Sequence, residues 1–350
     1  MRKAPMFAND GMSITYRDLW NGFISRENFD LALKRAVEHK KSKPEIARFL
    51  AGDPEARLEE LRQSVICGEF RTSAYRPITI FEPKKRVIYV LPFYPDRIMH
   101  HALMNILVPI WDGMFIRDSF ACRPNMGVHA ASKRAMHFVR NNKYCLQCDI
   151  RRFYPSINHQ ILFKILGRKI RDERILALLK DIVFSIEAHT DDTPLQSGSY
   201  GVPIGNLCSQ WFGNLYMNDL DMFVKHKLRC KSYIRYCDDF CLFSDDREQL
   251  SRWRDQMRVF LLEELHLIYS YAEIFPVKNG LDFLGYRHFP EFVLVRKTTA
   301  QRIKKRMMKI RAYDMRDPWQ RGQVASAHGW LCHANAHNLH NAIFSHIKII

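Results

Sequence analysis

Hydrophobic positions along the chain recur mostly with helical spacing and change to strand-like runs at a few places. Phe29-Asp-Leu-Ala-Leu-Lys-Arg-Ala-Val37 and Arg57-Leu-Glu-Glu-Leu-Arg-Gln-Ser-Val-Ile66 set apolar residues three and four apart, so the polar residues 1–75 read as helical. Thr79 to Leu91 reads as two strands around the basic turn Lys84-Lys85-Arg86. Asp96 precedes an apolar run to Val108 and is expected to cap that helix. Ser119 to Ala131 reads as a loop entering a helix, and 144–150 as an apolar strand ending at Asp149. Helical patterning fills 158–186, Asn206 to Lys227 and Leu250 to Leu267, with a polar loop at Thr190 to Gly201. Strand-forming residues return at Ser232 to Ser244 and, as a short pair, at Asp282 to His288. Thr298 to Ala312 carries Ile303, Met307 and Ile310 on one helical stripe.

Composition narrows this picture. A chain of 350 residues with 47% hydrophobic content can bury a sizeable core in one multi-lobed unit or two domains. Its formal charge of +17 points to a polyanionic partner, nucleic acid before membrane lipid. The surplus persists at the end, where residues 291–350 hold 11 Lys/Arg against 3 Asp/Glu. Arg302, Lys305, Arg306 and Lys309 lie elsewhere around the Thr298 to Ala312 helix, either as a solvated face or as a grip on a phosphate backbone. Nine cysteines are scattered singly, and the pair Cys145 and Cys148 falls on opposite faces of a strand, so they read as reduced core thiols of a cytosolic protein. No apolar run approaches the ~18 residues of a membrane span, and Met1-Arg-Lys-Ala-Pro5 leads into no signal-peptide core.

The candidate chemistry centres on Tyr236-Cys-Asp-Asp239, flanked on both sides by strand-forming residues. Two adjacent aspartates at a hairpin tip repel each other, and a divalent cation would neutralise them. Mg²⁺ favours one or two carboxylates plus substrate phosphates over an all-protein cage. Asp149, at the end of another strand, supplies a third carboxylate. Two strands delivering aspartate to one point can hold two metals about 4 Å apart, one activating a hydroxyl and the other stabilising a leaving pyrophosphate. The plainer alternatives are a solvated Asp-Asp turn and an Asp149 helix cap. Arg86 is either part of a solvated hairpin tip or a guanidinium binding two triphosphate oxygens.

In order, Asp149 with Tyr154 after it, Pro203-Ile-Gly205, Tyr236-Cys-Asp-Asp239 and Phe283-Leu-Gly-Tyr286 resemble the motif series of reverse transcriptases, over about residues 75–345. The resemblance implies an α+β right-hand polymerase fold with fingers, an antiparallel-sheet palm and a helical thumb. Residues 1–75 would be an N-terminal helical extension and the start of the fingers, 76–143 fingers, 144–290 palm with 158–200 partly returning to the fingers, and 291–350 thumb. Asp149, Asp238 and Asp239, with the Ile150 carbonyl, would hold two Mg²⁺ ions, with Mn²⁺ as a substitute. Tyr154 matches the steric gate that selects dNTPs, and Arg86, Ile204, Gly205 and Gln210 the nucleotide contacts. Phe283, Leu284, Gly285 and Tyr286 match the primer grip.

Gly201-Val-Pro-Ile-Gly-Asn-Leu-Cys-Ser-Gln210 is similar to a signature of the reverse transcriptases of diversity-generating retroelements, as are Phe120-Ala-Cys-Arg-Pro124, Gly127-Val-His-Ala-Ala131 and Gly329 to Leu339. Cys208 replaces the usual Thr. That subgroup copies a template-repeat RNA into cDNA altered at adenines, with a pentameric basic accessory protein, in the cytoplasm of a bacterial cell. Ile204 would replace an amide at the incoming nucleotide, offering dispersion without a hydrogen bond and weakening selection against mispairs. The lysine that many relatives carry after the active-site hairpin is missing from Tyr269-Ser-Tyr-Ala-Glu-Ile274, and Lys278 follows too late to be assigned that role. The alternatives are a group II intron or retron reverse transcriptase, disfavoured by the Ile204 to Gln210 run, and a non-catalytic RNA-binding protein on a polymerase fold, disfavoured by the intact aspartates. A viral RNA polymerase would more usually show Gly-Asp-Asp.

Overall fold

Several helix starts are held by side chains that accept the free N–H groups of a first turn. Ser25 accepts from Asn28, and Asp53 from Ala56. Asp172 caps one helix through Arg174 and Ile175 and also accepts from Leu19 and Trp20, which anchors the N-terminal segment. The computed structural model describes residues 14–81, 86–186, 199–310, 312–314, 316–345 and 348–349. In chain order the elements are α1 (Trp20–Phe23), α2 (Arg26–Val37), α3 (Pro44–Ala51), α4 (Pro54–Ile66), β1 (Arg76–Ile80), β2 (Arg86–Val90) and α5 (Ile98–Asp112). There follow β3 (Ser119–Phe120), α6 (Val128–Arg140), β4 (Tyr144–Ile150), α7 (Phe153–Ser156), α8 (His159–Leu166), α9 (Glu173–Phe184) and α10 (Leu207–Met222). The rest comprises β5 (Tyr233–Tyr236), β6 (Asp239–Ser244), α11 (Arg247–Glu264), β7 (Tyr269–Pro276), β8 (Leu281–Phe283), β9 (Tyr286–His288), β10 (Val293–Val295), α12 (Lys297–Met307), β11 (Ala312–Tyr313), α13 (Pro318–Cys332), α14 (His337–Phe344) and β12 (Lys348–Ile349), with short single turns between some of them.

The chain forms two compact units. The first takes Met1–Phe115, Arg151–Asp219 and Phe260–Ile268. In it α2 packs on α5, with the Asn28 amide donating to Phe23 O at 2.7 Å and Ala102 O at 3.1 Å. β1 and β2 pair antiparallel with Ile78 opposite Ile88.

The second unit takes Ile116–Ile150, Leu220–Val259 and Tyr269–Ile350. Its centre is a five-stranded sheet in the order β3-β5-β6-β4-β7. Ala131 and Ala135 of α6 let that helix lie close against Cys145, Ile234, Cys241 and Phe243 of the sheet. Strands β8, β9 and β10 form a second, antiparallel sheet. Ile303, Met307, Ala327, Leu331 and Ile343 then build a small core among α12, α13 and α14.

Several expectations need correction. The central sheet is not wholly antiparallel, because β3 joins β5 in parallel register within the segment expected as a loop. Asp96 caps no helix: it lies in a helical turn, Phe93–Arg97, before α5, and its carboxylate accepts from Ser73 N at 2.9 Å. The helix expected to reach Ala312 ends at Met307, although Ile310 stays buried in the same core. All nine cysteines are free, but Cys67, Cys122 and Cys332 are exposed rather than in the core. Lys84, Lys85, the Arg86 side chain and most of the Thr190 to Gly201 loop lie outside the described residues. Among the described residues no helix is long and apolar enough to cross a membrane.

Candidate active site

Register places the carboxylates. β4 and β6 pair antiparallel with Cys148 opposite Phe240, so the next step along each strand brings Asp149 and Asp239 side by side. β5 and β6 close on the pair Tyr236 and Asp239, which leaves Cys237-Asp238 as a two-residue turn. Cys237 has φ 60, in the left-handed region that costs a non-glycine residue about 1–2 kcal/mol. On its other side β4 meets β7 with Asp149 opposite Tyr271 and Ile150 opposite Tyr269, a bulge at the site itself. Bulges beside active sites re-aim a side chain.

Asp149 and Asp238 lie close enough to Asp239 for both to act on its carboxyl. Burial, then Asp238 and Asp149, push the Asp239 pKa up to about 7, while Arg296 pulls it down. Burial and the Asp239 charge also push up the Tyr271 phenol opposite Asp149. Asp149, Asp238 and Asp239 thus bring carboxylate oxygens together, the hard donor type that divalent cations such as Mg²⁺ prefer.

A device absent from the sequence reading fixes the turn. Arg235 of β5 and Asp221 of α10 are fully buried and paired at 2.6 Å. Asp221 also accepts from Tyr233 OH at 2.7 Å and Arg235 Nε at 2.8 Å. Two further guanidinium donors reach Ser119 Oγ at 2.8 Å and the Cys237 carbonyl at 2.9 Å. A buried arginine therefore holds the strained residue of the turn from beneath. The available signal was one charge within the apolar strand, while Asp221 follows Asn218 and Asp219 and does not stand out in its helix.

The residues expected to contact nucleotide fall in the first unit. Arg86 opens β2, and the Ile204 carbonyl accepts from Tyr89 N of the same strand at 3.1 Å. Gly205, at φ 113, allows that approach. The Tyr154 carbonyl accepts from Val202 N at 2.9 Å, tying α7 to the same loop. The Tyr154 ring lies over α10, where a Cβ at Gly213 would come within 3.2 Å of it. Gln210 is exposed in the first turn of α10. Tyr154, Ile204 and Gly205 are thus gathered against β2 and α10.

The expected primer-grip residues form the β8–β9 hairpin. Its two central residues, Leu284 and Gly285, have φ 58 and 81, as a type I′ turn requires. Trp330 of α13 covers this turn, so that a Cβ on Gly285 would lie 2.9 Å from its ring. Tyr286 is buried, stacks on Trp330 at 4.9 Å, donates to Trp330 O at 3.1 Å and lies 3.0 Å from His129 Nε2. Arg302, Lys305, Arg306 and Lys309 are all exposed. Lys278 follows β7 at the end where Pro276 faces Tyr144, away from Asp149 and Tyr271. At ~3.4 Å per residue, the stretch from Tyr271 to Pro276 alone spans about 17 Å, so Lys278 does not reach the carboxylates.

A family model described as "Reverse transcriptase (RNA-dependent DNA polymerase)" matches residues 81–288, more than half of the chain. Protein YkfC of Escherichia coli (strain K12) is 24% identical over 270 residues, 66% of this chain and 70% of that protein. Group II intron-encoded protein LtrA of Lactococcus lactis subsp. cremoris is 23% identical over 175 residues, 49% of this chain but 29% of LtrA. A solved structure of telomerase from Candida albicans, in complex with a fragment of telomeric RNA, covers 80% of this chain and 56% of its own. It superposes with a TM-score of 0.50 at 12% identity, which speaks for the fold alone.

Proposed function

The chain belongs to the reverse transcriptase family and is an RNA-directed DNA polymerase, a nucleotidyltransferase, and we propose that it copies a template-repeat RNA into adenine-mutagenised cDNA for a diversity-generating retroelement. The carboxylate cluster of Asp149, Asp238 and Asp239 carries the polymerase part of the reading. The run Gly201 to Gln210, with Ile204 at its centre, carries the subgroup.

Reverse transcriptases depend on divalent metal. In this reading Asp149 and Asp238, with the Ile150 carbonyl and Asp239 beside them, hold two Mg²⁺ ions that supply hydroxyl activation and stabilisation of the leaving pyrophosphate. Tyr154 crowds a ribose 2′-hydroxyl and so selects dNTPs. Arg86 binds the triphosphate, Ile204 and Gly205 meet the base and sugar with Gln210 behind them, and Phe283 to Tyr286 position the primer end. Arg302, Lys305, Arg306 and Lys309 neutralise backbone phosphates, which makes binding salt-dependent. The central sheet acts as palm, β1 and β2 as fingers and α12 to α14 as thumb. A basic pentameric accessory protein joins the template RNA and cDNA as partner, in a bacterial cytoplasm.

The similarity to LtrA favours a second reading, a group II intron-type enzyme. One experiment separates them: cDNA synthesis on RNA carrying the template repeat, with the accessory protein, Mg²⁺ and four dNTPs, followed by sequencing. The expected product depends on Asp238 and Asp239, shows errors opposite template adenines, and loses those errors in Ile204→Gln. Faithful product from the unaltered chain moves it to another reverse-transcriptase group. An error spectrum unchanged in Ile204→Gln removes the role given to that side chain.

A further inference from the structure

Three metal-ligating side chains converge in the C-terminal helical lobe, within the second unit. His328 and Cys332 lie one turn apart on α13, and His340 reaches them from α14. Their ligand atoms all lie within 4.8 Å of one another. We propose that His328, Cys332 and His340 bind one Zn²⁺ ion, which ties α13 to α14.

The geometry carries this. His328 Nδ1 lies 3.1 Å from His340 Nε2 and 3.6 Å from Cys332 Sγ, while His328 Nε2 lies 3.3 Å from the same sulfur, so the His328 ring must turn slightly to give Nδ1 both edges. A tetrahedral zinc ion with Zn–N of ~2.0–2.1 Å and Zn–S of ~2.3 Å separates its donors by about 3.3 Å for N···N and about 3.6 Å for N···S. With that turn the same imidazole atom serves both edges. Imidazole and thiolate form a borderline-soft set, which favours zinc over Mg²⁺ and keeps this site distinct from the carboxylates. Phe344 packs against both rings, 4.7 Å from His340 and 6.4 Å from His328, and covers one side of the cluster. The side open to solvent leaves a fourth position for water. Binding releases the Cys332 thiol proton to solvent.

The location gives the ion a task. The ligands at 328 and 332 bracket Trp330, which stacks on Tyr286 and covers Gly285. Fixing this turn of α13 fixes the surface against which the β8–β9 hairpin packs. The lobe is small, and a cross-link between its helices adds what a small core cannot.

The test uses the full chain, stripped of metal and titrated with Co²⁺ in excess Mg²⁺. One equivalent is expected to give the strong visible bands of tetrahedral cobalt and a thiolate-to-cobalt charge-transfer band, and Zn²⁺ should bleach both. Cys332→Ser should abolish the charge-transfer band, and His340→Gln the tetrahedral spectrum. Each should weaken Zn²⁺ binding by at least the ~10–100-fold known for losing a group that merely orients a ligand. The spectrum should survive in Asp238→Ala/Asp239→Ala and in Cys67→Ser/Cys122→Ser. A band that follows Cys67 or Cys122, a spectrum unchanged by Cys332→Ser, or no uptake beyond hexa-aquo cobalt would overturn the proposal.

Discussion

Arg235→Met offers the sharpest test of how the Asp-Asp turn is held. The substitution keeps most of the side-chain volume but strands Asp221, fully buried, with the Tyr233 hydroxyl as its remaining named donor. Breaking a buried ion pair from one side costs about 3–5 kcal/mol, because a charge is left without compensation. That corresponds to a loss of roughly two hundred- to several thousand-fold in the folding equilibrium. Removing the charge as well, in Arg235→Met/Asp221→Asn, keeps an acceptor for Tyr233 and should restore stability to within about 1–2 kcal/mol of the parent, a coupling of about 2 kcal/mol or more. Stability and activity should then part. The Cys237 carbonyl, 2.9 Å from the guanidinium in the parent, still lacks that donor in the double variant. Urea unfolding gives the two stabilities, and primer extension on folded protein gives the rate. The expectation is recovered stability with kcat still depressed about tenfold or more, the scale of a ~1.4 kcal/mol loss at the site. A single-variant cost below about 1 kcal/mol would refute the buried-charge argument. A double variant with parental kcat would refute the role of Arg235 in holding the turn.

Asp239 should give the metal-free protein an unusual pH response. Its folded pKa of about 7 lies above the ordinary 3.8, so the folded state holds the extra proton between these values. Stability is then full at the acid end of this window and falls as pH rises through it. Asp239→Asn should flatten this slope, as should saturating Mg²⁺, and unfolding midpoints at about pH 5 and about pH 7.5 with and without chelator measure it. An equal slope in the variant would assign the proton elsewhere. Gly285→Ala combines φ 81 with a Cβ 2.9 Å from the Trp330 ring. It should cost at least about 1 kcal/mol and raise the KM for primer–template more than that for dNTP, whereas an unchanged melting temperature would mean that the turn yields freely.

Legibility of the chain tracked the range of the forces involved. Alternation and turn chemistry marked β4, the β5–β6 hairpin and the β8–β9 pair, because strand patterning and tight turns are local. That Asp149 and the Asp238-Asp239 turn meet could be expected, since both end apolar strands with carboxylates of one chemistry, but the strand register, not the sequence, sets Asp239 beside Asp149. Asp96 was misread for the opposite reason. Its place before an apolar run is that of a helix cap, but Ser73 N, 23 residues away, takes its carboxylate. The parallel β3–β5 pairing rests on two residues, too few to show a period. The Arg235–Asp221 pair joins a strand to a helix, and nothing in either segment names the partner.

Two hairpins in the second unit each carry a non-glycine residue in the left-handed region, Cys237 in one and Leu284 in the other. Such residues persist where surrounding structure over-determines them. In each case a donor reaches a turn carbonyl, a side chain in one and a backbone N–H in the other. Arg235 does so through its guanidinium to Cys237, and Arg296 through its backbone N–H to Gly285 O at 2.9 Å. Arg296 is also paired with Asp282 and is the cation that lowers the Asp239 pKa. One residue therefore bears on both turns, electrostatically on the carboxylates and by a main-chain bond on the β8–β9 hairpin. In the proposed reading, a divalent cation entering among Asp149, Asp238 and Asp239 meets a turn that Arg235 already holds, so little rearrangement of the turn opposes it. That is the condition under which preorganised charge stabilisation is most effective.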